Sequence, residues 1–414
     1  MKVLVVGGGG RCHAIVDALA RSPKVDTIFC APGNAGIGRQ AVTVPIKDTD
    51  RDALLGFALD NAVDLTVVGP EASLATGIVD EFQKAGLRIF GPTKAATQIE
   101  SSKEFAKRLM QKYSIPTAAY RTFTDYREAL AYVRGGSLPT VIKYDGLAAG
   151  KGVVVAETIE QADAALKEML LDDRFGEGKV VVEEFLSGTE FSYLCFCSGA
   201  KVYPMVLSQD HKRAFDGDKG ANTGGMGAYS PLPFISAEDE HYALERIMKP
   251  TAAAMVAEGV PFCGVLYGGL MKTAEGIKVI EFNARFGDPE TEVVLPRMRS
   301  DIFEVFNAVL EGRDYQIEWS NRATLGIVLA SKGYPESYEK GFEIGGLDKF
   351  QSRVYHMGTA LKEGKTVTAG GRVLIVVGEG DTLAQARERA LEDVNKIDCP
   401  NLFHRSDIGH KAFD

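Results

Sequence analysis

The side chains best suited to chemistry in this chain gather beside glycines. In VIKYDGLAAGKGVVVAE, Val141 to Glu157, Lys143 lies on an apolar strand and Gly146, Gly150 and Gly152 punctuate the turn after it. A lysine on a buried strand is costly without a counter-charge, so a fixed anion is expected beside Lys143. The glycines leave the turn free to close backbone donors over phosphates as a lid. Lys151 either adds charge there or reaches solvent, and Lys103 stands near the start of a separate helix.

A second row lies in VIEFNARFGDPE, where Glu281, Asn283 and Arg285 share one strand face by period two. Carboxylate and amide oxygens suit a hard cation such as magnesium between nucleotide phosphates, and an arginine grips a carboxylate or a phosphoryl group. VVVEEFLSGTE ends a strand with Glu183 and Glu184, followed by Glu190. Such an exit into a hinge can meet a purine and its ribose; two solvated carboxylates are the alternative. In QDHKRAFDGDKGANTGGMGAYSP, His211, Lys212 and Arg213 precede a glycine-rich bend. That loop either closes on a small anion or is a mobile surface segment.

GGGGRCH, Gly7 to His13, follows the first strand and opens a helix, the usual place for a phosphate; a tight strand-to-helix turn without ligand is the alternative. The dinucleotide fingerprint fails: Cys12 stands at its third glycine, and APG follows the second strand where an acidic residue belongs.

The elements that must position these groups are legible as periodic runs. KVLVV, TIFCA, AVTVP, DLTVVG and RIFG alternate with helical stretches, the rhythm of a parallel sheet covered on both faces. SSKEFAKRLMQKYSIP reads as a helix closed by Ile115 and Pro116. TVIKY, GVVVAE, the helix TIEQADAALKEML and KVVVEEFL then form a compact lid. EFSYLCFCSG and KVYPMVLSQ are strands, Asp210 to Tyr229 is a long polar loop, and a helix spans about His241 to Glu258. A hairpin turning at Ala274 to Gly276 follows. The tail has strands in ATLGIVLAS, RVYHMGTAL and RVLIVVG and a helix in TLAQARERALEDVNKI.

With 414 residues, 45% hydrophobic and 25% charged, the chain can hold about three domains of ~150 residues. A net charge of -9 gives no global field for nucleic acid. No apolar window reaches the ~18 residues of a membrane span and no leader is evident, so a cytoplasmic protein is expected. The six cysteines lack a C-x-x-C pair and read as reduced, mostly buried thiols.

In this order, GGGGRCHA, GPEASLATGIVD, GPTKAA, SSKEFAK, KYDGLAAGKGV, EEFLSGTEFS, QDHKR, NTGGMGAYSP, EFNARFGDPET and RSDIG resemble the glycinamide ribonucleotide synthetase (phosphoribosylamine-glycine ligase) family of the ATP-grasp superfamily. The resemblance spans nearly the whole chain. It implies an α/β protein: a substrate-binding Rossmann-like domain with a parallel sheet over 1–100, a helical connection over 101–120, ATP-grasp lid and central subdomains over 121–190 and 191–312, and a small α+β C-terminal domain over 313–414. The implied reaction joins glycine to 5-phosphoribosylamine through glycyl phosphate, with ATP and Mg2+ or Mn2+, in purine biosynthesis; no nucleic-acid or membrane partner is implied, and a monomer is expected.

The resemblance also assigns roles. Lys103 and Lys143 hold ATP phosphates under the loop of Gly146, Gly150, Lys151 and Gly152. Glu183, Glu184, Phe185 and Leu186 form the adenine hinge, and Glu190 holds the ribose. Glu281 and Asn283 are the metal ligands, and Arg285 acts with Lys143 in catalysis. Gly9, Gly10 and Arg11 cradle the substrate phosphate, with Glu71, Asp210, Lys212, Asn222, Thr223 and Gly224 also at the substrates. Apart from the resemblance, Asp288 in GDPE is a candidate to hold the glycine ammonium. Three departures stand out: Cys12 where the family usually has glutamate, Gly8 where asparagine or serine is common, and Tyr144 where alanine is usual. In addition, the strand Gly264 to Lys272 offers no carboxylate as a further metal ligand. Cys12, near a helix start, is either a thiol of lowered pKa or a small packing residue.

Overall fold

The computed structural model describes residues 1–146, 152–172 and 178–413. Its first sheet is all parallel, in the order Val42–Thr43, Thr27–Pro32, Lys2–Gly7, Leu65–Val68, Ile89–Phe90. Val3 to Val6 are fully buried, as expected of a strand covered on both faces. Strand order reverses between Lys2–Gly7 and its neighbours, which opens a crevice beyond their carboxyl ends. Gly7 to Arg11 and Gly69 to Glu71 line that crevice.

The lid is an antiparallel sheet ordered Tyr120–Phe123, Val180–Glu184, Thr140–Tyr144, Val153–Ala156, backed by helices Tyr126–Arg134 and Ile159–Leu170. Ala129, Val133, Ala162 and Leu166 seal the space between sheet and helices. A second antiparallel sheet runs Lys201–Pro204, Gly188–Ser198, Cys263–Thr273, Gly276–Asn283. Along Gly188–Ser198, Cys195 and Cys197 pack into one core and Leu194 and Phe196 into another, so pleat alternation accounts for both thiols.

Several elements differ from the sequence reading. The polar stretch from Asp210 to Tyr229 is threaded into sheet structure. It holds the hairpin Arg213–Phe215 and Lys219–Asn222, then the fully buried strand Gly227–Ser230. That strand pairs with Gln209–Asp210 on one side and Ala323–Ser331 on the other, so one sheet joins chain from both sides of residue 312. RVYHMGTAL is two strands, Arg353–His356 and Thr359–Lys362, broken where Gly358 lies so close to Gly370 that an added Cβ would sit 2.7 Å from the Gly370 Cα. The helix read from His241 begins earlier, at Ala237, behind a Ser236–Asp239 capping box. Asn34 fastens the first crevice to the C-terminal sheet by donating to Gly8 O at 2.9 Å and His356 O at 2.8 Å.

Candidate active site

A cleft of about 570 Å3 runs between the lid and the central sheet. Its floor is built by the helix Lys103–Lys112, which Ser102 caps by accepting from Phe105 N, and by the strand Gly276–Asn283. Lys103, Lys143, Gly146, Gly152, Glu183, Asp210, Lys212, Thr223, Gly224, Glu281, Asn283, Arg285 and Asp288 all border it. Gly150 and Lys151 lie outside the described residues.

The anion expected beside Lys143 proves to be internal. Lys143 Nζ lies 3.0 Å from Glu183 Oε1 and donates to Ile280 O at 3.0 Å. Glu183 Oε2 is in turn 2.8 Å from Lys107 Nζ. Glu183 is thus a buried counter-ion rather than a solvated carboxylate. Glu184 and Phe185 are exposed beyond it, with Leu186 half-buried. Glu184 accepts from Ala119 N at 3.3 Å. Lys103 Nζ donates to Gly146 O at 3.0 Å, and burial lowers its pKa against the opposing pull of Glu281. Tyr144 spreads its ring across two glycines: a Cβ on Gly146 or Gly178 would meet it at 2.6 or 2.8 Å.

A bulge at Gly269 and Leu270 shifts the register so that Gly269 faces Glu281, and Tyr267 faces Asn283. Burial alone would raise the pKa of Glu281, but Lys212, Lys143, Lys103 and Arg285 together outweigh it and keep the carboxylate charged. Arg285 lies just beyond the strand end. It donates to Asn283 Oδ1 at 3.2 Å and pairs with Glu71 at 3.2 Å and Glu100 at 3.4 Å. Glu71, held also by Arg11 at 3.3 Å, is pulled down to about 2, its burial outweighed by the two arginines. Across the cleft, Glu290 accepts from Tyr267 Oη at 2.7 Å. Burial, reinforced by Glu290 and Glu190 and opposed by Lys212, raises the Asp210 carboxyl to about 7. Both acids line the cleft. Glu190 is exposed and reaches Lys212 at 3.3 Å; Asn222 is exposed on its hairpin strand.

A second cavity of about 310 Å3 opens at the start of the helix Gly10–Ala20. Gly9 caps that helix without a side-chain bond, which leaves amide donors facing the space. Gly358, Gly370 and Gly371 close it from the C-terminal sheet. Arg11, Asp288 and Arg372 border both cavities. Asp288 accepts from Arg11 N at 3.3 Å and Nε at 3.4 Å, and its other oxygen is 2.9 Å from Arg372. Cys12 carries no lowered pKa. Burial pushes it up to about 12, and its sulfur fills space against Gly7 and Gly69, where an added Cβ would lie 2.4 Å away. A side chain at Gly8 would meet Gly33 O at 2.6 Å. His211 is no anion ligand either: fully buried, it accepts from Gly409 N at 2.9 Å.

Sequence reasoning missed Lys107, Glu100, Glu290, Tyr267 and Arg372. Lys107 carried a signal, being four residues after Lys103 on one helix face. Arg372 carried none, because only the C-terminal fold brings it to Asp288.

The phosphoribosylglycinamide synthetase N domain matches residues 1–100, its ATP-grasp (A) domain 101–291 and its C domain 324–411. This chain belongs to the phosphoribosylglycinamide synthetase family. The chain is 53% identical to a phosphoribosylamine–glycine ligase of Halalkalibacterium halodurans, over 100% of this chain and 97% of that one. A Listeria innocua protein of the same name is 52% identical over the full length of both. The crystal structure of a Thermotoga maritima phosphoribosylamine–glycine ligase aligns with a TM-score of 0.87 at 32% identity, covering 99% of this chain and 100% of that one. A biotin carboxylase domain from Hydrogenobacter thermophilus, at 14% identity and a TM-score of 0.73, shares the fold alone. The α/β architecture, the ATP-grasp ligase class and nucleotide use follow from family membership. No described helix is long and apolar enough to cross a membrane.

Proposed function

We propose that this chain ligates glycine to 5-phosphoribosylamine, consuming ATP and releasing ADP and phosphate. The observation that carries this reading is the shared wall of Arg11, Asp288 and Arg372 between a lysine-lined cleft and a helix-terminus cavity. It gives the nucleotide and a phosphorylated amine separate seats with their reacting ends adjacent. The lid and central sheets would enclose the nucleotide.

Glycine's carboxylate is a poor electrophile, so its oxygen first takes the terminal phosphoryl group of ATP. Lys103 and Lys143 neutralise charge on the phosphates, and Arg285 orients the carboxylate and then the acyl phosphate. The amine of phosphoribosylamine attacks the activated carbonyl, the new C–N bond forms, and phosphate leaves. No side-chain nucleophile is required; the residues position and neutralise. Glu281 and Asn283 offer a carboxylate and an amide oxygen two residues apart in the cleft, a fit for one hard cation among phosphate oxygens. They would hold Mg2+ or Mn2+, which supplies charge neutralisation when bound.

The phosphate of the amine substrate would lie on the amides of Gly9 and Gly10. Asp288 is tied to two arginines, so we place the glycine ammonium between Asp210 and Glu290 instead. Adenine would sit by the strand exit from Glu183 to Leu186, and the ribose near Glu190. The reading extends to a monomer working on small molecules in the cytoplasm.

A coupled assay tests this directly: ADP release should require both glycine and freshly generated phosphoribosylamine, with the amide product identified by mass spectrometry. Equal ADP release with bicarbonate or alanine in place of glycine would overturn the substrate assignment.

A further inference from the structure

The cleft holds two lysines on a single carboxylate, and the two are not equivalent. Lys107 Nζ lies 2.8 Å from Glu183 Oε2 and donates to Thr117 Oγ1 at 2.8 Å and Ala118 O at 3.4 Å. An ammonium has three protons, so Lys107 is saturated. Lys143 Nζ has two partners among the described residues, Glu183 Oε1 and Ile280 O, and keeps one donor for the cleft. All three charged side chains are at most 5% exposed.

The positions of their backbones matter as well. Glu183 and Lys143 belong to neighbouring lid strands, Lys107 to the helix beneath, and Ile280 to the central sheet. Thr117, the second partner of Lys107, itself donates to Val279 O at 2.8 Å. Lys107 is therefore tied through Thr117 to the helix and central-sheet side of the cleft, whereas Lys143 stands on a lid strand.

For Lys143 to grip a phosphate it must loosen its hold on Glu183. A buried carboxylate that loses its only partner is heavily penalised, enough to weaken a coupled binding step about a hundredfold. Lys107 removes that obstacle. We propose that Lys107 is a positioning residue that retains the Glu183 carboxylate while Lys143 exchanges it for nucleotide phosphate, so that nucleotide binding strands no buried charge. The idea rests on the nucleotide reading of the cleft. The same arrangement explains why a lysine that never faces the ligand lies in the wall of its site. Burial lowers the pKa of Lys107 to about 8, outweighing the attraction of Glu183.

The test is calorimetric titration of Mg-ADP into the full chain as wild type, Lys107→Met, Glu183→Gln and the double variant. Lys107→Met should bind about a hundredfold more weakly, because Lys143 is then the sole counter-ion of Glu183 among the described residues. In the Glu183→Gln background, which serves as its own reference, adding Lys107→Met should change binding by less than about threefold, since no carboxylate remains to be stranded. In turnover assays the Lys107→Met defect should fall on KM for ATP and spare KM for glycine.

Binding by Lys107→Met within threefold of wild type would overturn the proposal, as would a hundredfold loss on adding Lys107→Met to Glu183→Gln. If Lys107→Met does not fold, Lys107→Gln, which keeps a polar end without the charge, takes its place under the same criteria. Absence of binding by the wild type would instead overturn the nucleotide reading, a separate outcome.

Discussion

Acid should loosen the loop that carries Asp210 and Lys212, through the histidine between them. His211 is completely buried, accepts from Gly409 N, and has its pKa lowered from 6.5 to about 4. Burial is the largest cause, opposed by Asp218 and assisted by Arg405, Lys411 and His410. The folded protein therefore favours neutral imidazole, and the unfolded chain binds a proton more readily below pH 6.5. Stability from this group is complete above pH 6.5 and is lost as pH falls towards 4. Each pH unit in that window is worth about 1.4 kcal/mol, so the loss is about 2 kcal/mol at pH 5 and about 3 kcal/mol by pH 4. His13 and His356, lowered to about 4 and about 3 by burial, add losses of the same sign in the N- and C-terminal units. His211→Gln keeps an acceptor for Gly409 but cannot titrate. Denaturant midpoints at pH 7.5 and 5.0, with hydrogen exchange of the Gly409 amide, provide the assay. The variant should be less stable than wild type at pH 7.5 yet lose about 2 kcal/mol less on acidification. An identical loss in both proteins, with Gly409 protection unchanged between the two pH values, would refute the reasoning.

Arg285→Ala removes the cation shared by Glu71, Glu100 and Asn283, and turnover should fall about a hundredfold or more with the fold retained by circular dichroism. Glu281→Ala should do likewise, and near-normal product formation in either variant would remove that residue from the mechanism. Glu292 is fully buried with neither carboxyl oxygen hydrogen-bonded among the described residues, and burial together with Asp288 pushes its pKa well above 4.5. Because this folded pKa is raised, stability falls as pH rises above 4.5. Glu292→Gln should therefore melt above wild type at pH 8, with the gap narrowing towards pH 5. Gly8→Ala drives a Cβ against the Gly33 carbonyl and should raise KM for the phosphorylated amine several-fold without altering KM for ATP.

Much of the scaffold could be read from apolar periodicity. KVLVV and DLTVVG became the adjacent buried strands Lys2–Gly7 and Leu65–Val68, because a covered parallel sheet demands continuous hydrophobic runs. The demand of Lys143 for an anion was likewise legible, but its nature was not: Glu183 lies forty residues away and meets Lys143 only through strand pairing, Lys143 beside Val181. GGGGR announced a helix-terminus site, yet the guanidinium of Arg11 is committed to Glu71 and Asp288. Charge partners set by tertiary contact leave no local trace. The stretch around Tyr229 misled for a different reason. Its glycines and charges describe a loop, and only partners on both edges make Gly227–Ser230 a strand.

That buried strand also limits how the molecule can be divided. A fragment ending near residue 312 would keep every nucleotide-facing lysine and acid yet leave Gly227–Ser230 unpaired along the edge now covered by Ala323–Ser331. Tyr229, fully buried in the intact chain, would lose its cover, and the neighbouring Asp210 and Lys212 would lose the scaffold that aims them. The tail is thus a working part of the catalytic half, and truncation there should yield an aggregating fragment rather than a smaller ligase.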